Sequence, residues 1–295
     1  MISIIITSYK EPETIGKAIS AITRQNIKEK YELIVSAPDK ETIDVAKSYA
    51  KKNKKIKVFQ DPGKGKTFAL NLLLPKLKGN IIVLTDGDVY ASENSINEIL
   101  KEFENKEVGC VTGQPVPSNS KDNKYGYWAH LLCYAAHRLR FDRNKKGKFL
   151  ECSGYLWAFR NNVIKSIPQE TAEDTIVPIL FYQKGYKIKY VPQAEVYVKY
   201  PSNLKDFLDQ KKRTAKAHET LSQYADLKNV PRMKTLKNEI LESYKIFSYH
   251  KSFKEFYWTL SLFPFRLYIW LVSFFKLYVK KDYKVDAWDR VESTK

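Results

Sequence analysis

Short apolar runs alternate with helix-period stretches from residue 2 to residue 103. Ile2–Ser8 and Ile81–Leu84 are nearly continuous in apolar residues, which predicts strands buried on both faces, and Tyr31–Val35 and Ile56–Gln60 read as two more strands. Between them, Ile15, Ala18, Ile19 and Ile22 keep helical spacing near 13–23, Ile43, Val45, Ala46 and Tyr49 carry a helix towards Lys54, and Leu70, Leu73 and Leu74 carry another towards Leu77. Four strands alternating with helices of this length predict an α/β fold built on a doubly wound, mostly parallel sheet.

Beyond this point the pattern changes. Ser92–Phe103 reads as a helix capped by Ser92, and Val108–Gly113 as a strand with which the sheet becomes mixed. Tyr125–Phe141 is an aromatic-rich helix whose His130 and His137, seven apart, share a face; packing on the sheet with a basic rim is favoured over a metal site. Glu151–Phe159 returns as a strand, Glu170–Asp174 heads a helix through Ile176, Ile179, Leu180 and Tyr182, and Lys187–Tyr200 supplies one or two strands with a turn at Pro192. Leu204–Tyr224 reads as a helix carrying Gln210, Arg213 and His218.

The tail has a different character. Phe256–Val279 is strongly apolar and aromatic, with Arg266 and Lys276 as its charges. Pro264 suits the first position of a helix, which leaves a segment of marginal spanning length with a polar stripe of Arg266, Ser273, Lys276 and Lys280. A helix in the plane of a membrane surface is therefore expected, ahead of a single-pass span or a helix buried on the rest of the chain. Asp286–Glu292 returns to water. The expected organisation is a catalytic unit over 1–200 and a helical C-terminal region over 201–295 with its membrane-associating segment at 256–279.

Charge and cysteine content narrow the setting. The 295 residues are 43% hydrophobic, ample for a core, and their 51 Lys and Arg against 33 Asp and Glu give a formal net charge of +18. Such a field favours anionic partners, whether nucleotides or the phosphates of a membrane surface. Nucleic acid is not expected, because the basic residues are spread along the chain and no recognised nucleic-acid module appears. Cys110, Cys133 and Cys152 form no C-x-x-C pair, and the first strand begins at residue 2 without room for a secretory signal, so a reduced, cytoplasmic setting is expected.

The candidate chemistry centres on Asp86-Gly87-Asp88 at the end of the fourth strand. Ligands in open α/β sheets bind beyond the carboxyl ends of the strands, and two close carboxylates there suit a hard cation, Mg2+ or Mn2+, shared with phosphate oxygens. Asp-Gly is also ordinary turn chemistry, so the pair alone does not decide. Gly65-Lys-Thr67 invites a phosphate-binding P-loop, but that motif needs a glycine where Gln60 stands, still inside a strand. What remains is a solvated basic turn, or one in which Lys64 or Lys66 approaches a diphosphate and Asn71 pins the loop.

Taken together, these stretches resemble a family 2 glycosyltransferase of the GT-A fold, of archaeal or bacterial type. Ile4-Ile-Ile-Thr-Ser-Tyr-Lys-Glu11 is similar to the family's I-I-P-T-Y-N-E, Gly65-Lys-Thr-Phe-Ala-Leu-Asn71 to G-K-x-x-A-L-N, and Thr85-Asp-Gly-Asp88 to its D-x-D. Thr171-Ala-Glu-Asp-Thr175 resembles its E-D motif and Gln210-Lys-Lys-Arg213 a partial Q-x-x-R-W, with Thr214 in the place of the Trp. The resemblance spans residues 2 to 213 in the family's order.

It implies a role for each motif. Thr7, Tyr9 and Glu11 would line the donor pocket, with Lys66, Asn71 and Arg213 towards the diphosphate. Asp39 would accept a hydrogen bond from the base, although a helix cap explains it equally well. Asp86 would face ribose or metal, and Asp88 would hold the Mg2+ or Mn2+ that bridges a UDP- or GDP-linked sugar. Ser153, Gly154 and Trp157 would line the acceptor site, though a strand Trp is as readily core. Asp174 would be the general base of an inverting transfer, oriented by Glu173; acids in a first helical turn also satisfy the helix dipole without catalysis. The implied function is transfer of a sugar to a lipid-linked or polysaccharide acceptor at the cytoplasmic face of the cell membrane. The alternatives are a nucleotidyltransferase or a non-catalytic nucleotide-sugar-binding protein on the same fold.

Overall fold

A computed structural model describes residues 1–169, 171–210, 220–233, 235, 238, 240, 243–275 and 294. Eight strands form one sheet: β1 Ile2–Thr7, β2 Tyr31–Ala37, β3 Ile56–Gln60, β4 Ile81–Asp86, β5 Tyr90–Ala91, β6 Val108–Pro117, β7 Leu156–Arg160 and β8 Lys187–Val198. Their order is β3-β2-β1-β4-β7-β6-β8-β5. The first four run parallel, β7 is antiparallel to both β4 and β6, β6 and β8 are parallel, and β5 closes the far edge antiparallel to β8. Because β7 reverses twice, β4 and β6 point the same way, so their carboxyl ends share one edge with the start of β7.

The helices are α1 Ile15–Thr23, α2 Lys40–Lys52, α3 Lys66–Leu73, α4 Ser95–Glu102, α5 Lys124–Lys145, α6 Glu173–Gln183 and α7 Phe253–Phe274. They cover the sheet because each central strand is apolar on both faces. Ile4, Ile6, Leu33, Val35 and Val83 pack with α1, α2 and α4 on one side. Ile5, Ile34, Ile82 and Leu84 pack with α3 and α6 on the other. Each such side chain contributes about 1.5–3 kcal/mol on burial, so a one-residue slip of register would be strongly resisted. A third cluster joins α5 to the C-terminal part: Tyr127, Trp128 and Leu131 meet Phe207, Leu262, Phe265 and Ile269.

Three expectations change. The helix expected from Ser92 starts at Ser95, with Asn94 before it at φ 64°; β5 pairs with β8 first, and the Ser92 amide is spent on the Glu195 carbonyl. Lys187–Val198 is one strand, and Pro192 lies where the ladder with β6 shifts register between Thr112 and Gln114, so a residue without an amide hydrogen falls in an irregularity rather than a turn. Pro264 lies inside α7, which begins eleven residues earlier under a Ser252 cap, at the cost of one helical hydrogen bond. Among the described residues no helix is long and apolar enough to cross a membrane.

His130 and His137 act in packing. His130 Nε2 lies 2.8 Å from the Asn119 carbonyl and His137 Nδ1 2.8 Å from the Tyr190 hydroxyl, and burial pushes both imidazoles below their ordinary range. Cys110, Cys133 and Cys152 are thiols, none joined in a disulfide. Residues 204–210 are helical and Thr220–Gln223 form a 3-10 turn; Arg213 and His218 of the expected helix, like Lys276, Lys280 and Asp286–Glu292, lie outside the described residues.

Candidate active site

The site forms where β1 and β4 end side by side. Thr7 is in register with Asp86, and its hydroxyl donates to Asp86 Oδ1 at 2.9 Å. The chain then turns at Gly87, whose amide donates to the Thr7 carbonyl. Only glycine fits here: a Cβ would lie 2.3 Å from Ser8 Oγ and 2.6 Å from Glu11 Oε2. Ser8 donates to that Glu11 oxygen at 2.6 Å, and the Glu11 amide donates to Thr42 Oγ1, so Glu11 is fixed against the turn that carries Asp86 and Asp88.

The loop from β3 to α3 delivers a cation. Asp61, buried at the end of β3, accepts from Ser36 Oγ and from the Gly63 amide, both at 2.9 Å. Gly63 and Gly65 take φ of 70° and 104°, left-handed values that glycine adopts freely, and the second places Lys66 at the first position of α3. Lys66 Nζ then sits 2.7 Å from Asp86 Oδ1 and 2.6 Å from Glu173 Oε1. Burial opposes its charge, but the two carboxylates outweigh this and hold the ammonium well above its ordinary pKa.

The opposite wall comes from β7 and α6. Thr85 pairs with Leu156, and the Thr85 hydroxyl donates to the Tyr155 carbonyl, which brings 153–155 alongside Asp86. Ser153 is held from below by its amide on Thr112 Oγ1. Glu173 and Asp174 open α6, where the unpaired amides of a helix start favour negative charge. The Asp174 carbonyl accepts from the Cys152 amide, and its carboxylate faces Gly154: a Cβ there would stand 3.4 Å from Oδ2. Burial pushes the Glu173 carboxyl up, and the charges of Asp174 and Asp86 push the same way against the pull of Lys66. Tyr155 also titrates high, through burial and then the nearby Cys133, Asp88 and Asp86, so a neutral phenol stands beside the acid pair. Tyr90 is raised by burial and by Asp88 and Glu11.

Of the residues singled out from sequence, Thr7, Glu11, Lys66, Asp86, Asp88, Gly154, Glu173 and Asp174 meet at this edge. Tyr9 is half-buried on the same loop, with Lys10 Nζ 5.3 Å from its ring centre. Asp39 caps α2, accepting from the Thr42 amide at 3.0 Å and from the Lys10 amide at 2.7 Å, so both oxygens help to fold the loop. Asn71 pins a different segment from the one expected: its side chain exchanges two hydrogen bonds of 2.8 Å with the backbone of Ile167. Trp157 is core, with no exposure and its ring stacked on Phe159, because it points to the α6 face of the sheet. Sequence reading missed Ser8, Asp61 and Tyr155; an acid directly before Pro-Gly at a strand end was the available sign for Asp61.

An α/β sheet that gathers side chains from four segments, the ends of β1 and β4, the loop into α3 and the wall of β7 and α6, at the carboxyl ends of its parallel strands defines the class of proteins that bind a ligand across that edge. The chain belongs to the family 2 glycosyl transferases, whose sequence profile, "Glycosyl transferase family 2", matches residues 3–167. It is similar to the N-acetylglucosaminyltransferase of Rhizobium meliloti (strain 1021), 23% identical over 239 residues covering 73% of this chain and 55% of that protein. Poly-beta-1,6-N-acetyl-D-glucosamine synthase of Staphylococcus aureus (strain COL) is 22% identical over 232 residues, 75% of this chain and 55% of that one. The chain thus spans about half the length of the curated relatives it matches. Among solved structures it resembles the mannosyltransferase PcManGT from Pyrobaculum calidifontis in complex with GDP-Man and Mn2+, with a TM-score of 0.62 at 18% identity, covering 94% of this chain and 75% of that one. It also resembles S. aureus TarS 1-349 in complex with UDP-GlcNAc, with a TM-score of 0.50 at 15% identity over 77% of this chain and 68% of that one. These likenesses show the GT-A fold.

Proposed function

We propose that this chain transfers a hexosyl group from a UDP- or GDP-linked sugar to an acceptor hydroxyl, with inversion at the anomeric carbon. The observation that carries the reading is the convergence of two arrangements at one sheet edge: Lys66 between Asp86 and Glu173, and Asp174 facing the bare backbone of Gly154. Membership of the family and the nucleotide sugars named in the similar structures support it.

Asp174 is the general base. Its carboxylate takes the proton from the acceptor hydroxyl as that oxygen bonds to the anomeric carbon and the bond from that carbon to the diphosphate oxygen breaks, releasing a nucleoside diphosphate. Gly154 leaves room for the acceptor beside it, with Ser153 on the same wall. Glu173, fixed by Lys66, holds the first turn of α6 in place. Thr7, Tyr9 and Glu11 line the donor side, and the Lys66 ammonium faces the negative diphosphate.

Asp86 and Asp88 fit a divalent cation by their chemistry: both are oxygen donors on one turn, and Mg2+ or Mn2+ needs only one or two protein carboxylates when donor phosphates complete the shell. A bound cation neutralises charge on the leaving diphosphate. The acceptor in this reading is a growing glycan or a lipid-linked sugar at the cytoplasmic face of the cell membrane.

Thermal unfolding against UDP-, GDP- and ADP-linked sugars and ATP, each with and without Mn2+, tests the reading. Stabilisation by one sugar nucleotide only with metal, followed by release of the nucleoside diphosphate on turnover, is the expected result; a ligand at one hundred times its Kd adds about 2.7 kcal/mol. Pyrophosphate release from a nucleoside triphosphate would make the protein a nucleotidyltransferase instead. Binding without turnover on any acceptor would leave a nucleotide-sugar-binding protein.

A further inference from the structure

α7 buries one side and leaves the other bare. Thr259, Leu262, Phe265 and Ile269 are buried against α5 and Phe207. Two hydrogen bonds of 2.7 Å lock the contact, between the Tyr127 and Thr259 hydroxyls and from Trp128 Nε1 to the Trp258 carbonyl. On the far side, Phe253, Tyr257, Leu260, Leu267, Leu271 and Phe275 are all exposed, from 41% at Leu260 to 91% at Phe253. Their steps of three and four residues, completed by exposed Pro264, form one apolar row about 33 Å long at 1.5 Å per residue. Single exposed apolar side chains are ordinary, but a continuous row of this length marks a surface made to be covered.

Charge identifies the cover. Lys251 and Lys254 flank the amino end of the row, and Lys121 and Lys124 lie close by at the start of α5, where Lys254 Nζ stands 3.4 Å from the Asp122 carbonyl and Lys124 Nζ lies over the Trp128 ring. Of the two acids among them, Glu255 accepts from the Lys251 amide in the helix cap and Asp122 accepts from the Ser120 hydroxyl, which leaves the four lysines in excess. A second copy would bring another +18 of charge against this face, whereas anionic lipid headgroups complement it. We infer that α7 lies flat on an anionic lipid surface, its apolar row among the acyl chains and its basic amino end among the phosphates. Phe and Tyr suit that depth, and among the described residues no helix is long and apolar enough to cross a membrane.

The position of α7 gives docking a consequence. α5 starts just beyond the carboxyl end of β6: the Ser118 amide bonds to Val198, Asn119 clasps Tyr200, and His130 reaches back to Asn119. α7 is therefore fastened at the edge of the sheet that carries Asp86, Asp88 and Asp174, and a docked α7 holds that edge near the bilayer. The functional part, delivery of a lipid-borne acceptor to Asp174, rests on the transferase reading; docking itself does not.

The test is sedimentation of the full chain with vesicles of phosphatidylglycerol and phosphatidylcholine, or of phosphatidylcholine alone, beside sedimentation velocity without lipid. The chain should bind the anionic vesicles and not the neutral ones. Tyr257→Glu with Leu267→Glu and Leu271→Glu should abolish binding, and Lys251→Glu with Lys254→Glu should weaken it at least about tenfold. Both variants should keep the thermal shift with sugar nucleotide and Mn2+, which reports that they fold. Failure to bind anionic vesicles, or equal binding by the triple variant, overturns the docking alone. A dimer in solution that the triple variant turns to monomer overturns it too, with a second copy as the cover. Docking without any response to a sugar nucleotide overturns the transferase reading instead.

Discussion

Lys66 and Glu173 meet at 2.6 Å and so tie the start of α3 to the first turn of α6, the turn that carries Asp174. The same ammonium holds Asp86 at 2.7 Å, so one side chain neutralises acids from two separate segments of chain. Without it, Glu173 and Asp86 face each other with no cation between them. Lys66→Met should lower stability by about 1–3 kcal/mol, because partly buried charges lose their partner. Urea denaturation measures the loss, and a variant as stable as the parent would mean that water already carries both acids.

Asp174→Asn keeps the size and the helix start but removes the base. Turnover should fall by about 10²–10⁴ while donor binding, read by the thermal shift, stays unchanged. Gly154→Val tests the same wall from the other side. Its first carbon would stand 3.4 Å from Asp174 Oδ2, an ordinary contact that the fold accepts, so the expected effect is a raised KM for acceptor with donor binding intact.

Asn71 and Ile167 exchange two hydrogen bonds, which fasten the chain between β7 and α6 to α3. Asn71→Ala should cost about 1–3 kcal/mol, since each part-buried bond is worth about one and the Ile167 amide is left without its partner. Faster amide exchange at Ile167 would locate the loss.

Asp39 gives a pH dependence. Burial opposes its ionisation, but hydrogen bonds from Thr42 and from the Lys10 amide outweigh it and hold the carboxyl below the usual range. A carboxyl with a lower pKa folded than unfolded stabilises above the unfolded value, about 3.9, and that contribution vanishes as pH falls through the folded value. Asp39→Ala should therefore cost about 1 kcal/mol at neutral pH as a lost helix cap. The gap between parent and variant should close below about pH 4, as followed by denaturant midpoints.

Asp88→Ala should remove the Mn2+-dependent part of the thermal shift with sugar nucleotide while the unliganded melting point changes little. An unchanged metal response would move the cation to other oxygens.

The parallel half of the sheet was legible because its strands are apolar on both faces, a pattern fixed by Ile4, Ile5 and Ile6 and again by Ile82, Val83 and Leu84. The acid pair and the Glu173-Asp174 step were legible only through their resemblance to the family's D-x-D and E-D motifs in order, since each alone reads as turn or helix-start chemistry. What sequence could not give were partners distant along the chain. Ser92 reads locally as a cap, yet β5 pairs with β8 just before it and the helix begins only at Ser95 behind Asn94, and Pro192 reads as a turn until its strand is seen to slip against β6. Trp157 is equally at home in a core or in a pocket; the side of the strand it faces depends on the pairing of β7 with β4, which no local pattern encodes.

That pairing also divides the protein in a useful way. In the proposed reading the donor-side groups Thr7, Tyr9, Glu11 and Lys66 lie before Asp88, and Ser153, Gly154 and Asp174 lie well after it, with five paired positions between β4 and β7 as the seam. On that reading, recognition of what is given and of what receives it would be written in two separate stretches of chain. Grafting residues beyond β6 from one relative onto the amino half of another, with that five-residue ladder, the Lys66–Glu173 pair and the Asn71–Ile167 clasp all kept, is the route this division offers to exchanging acceptors.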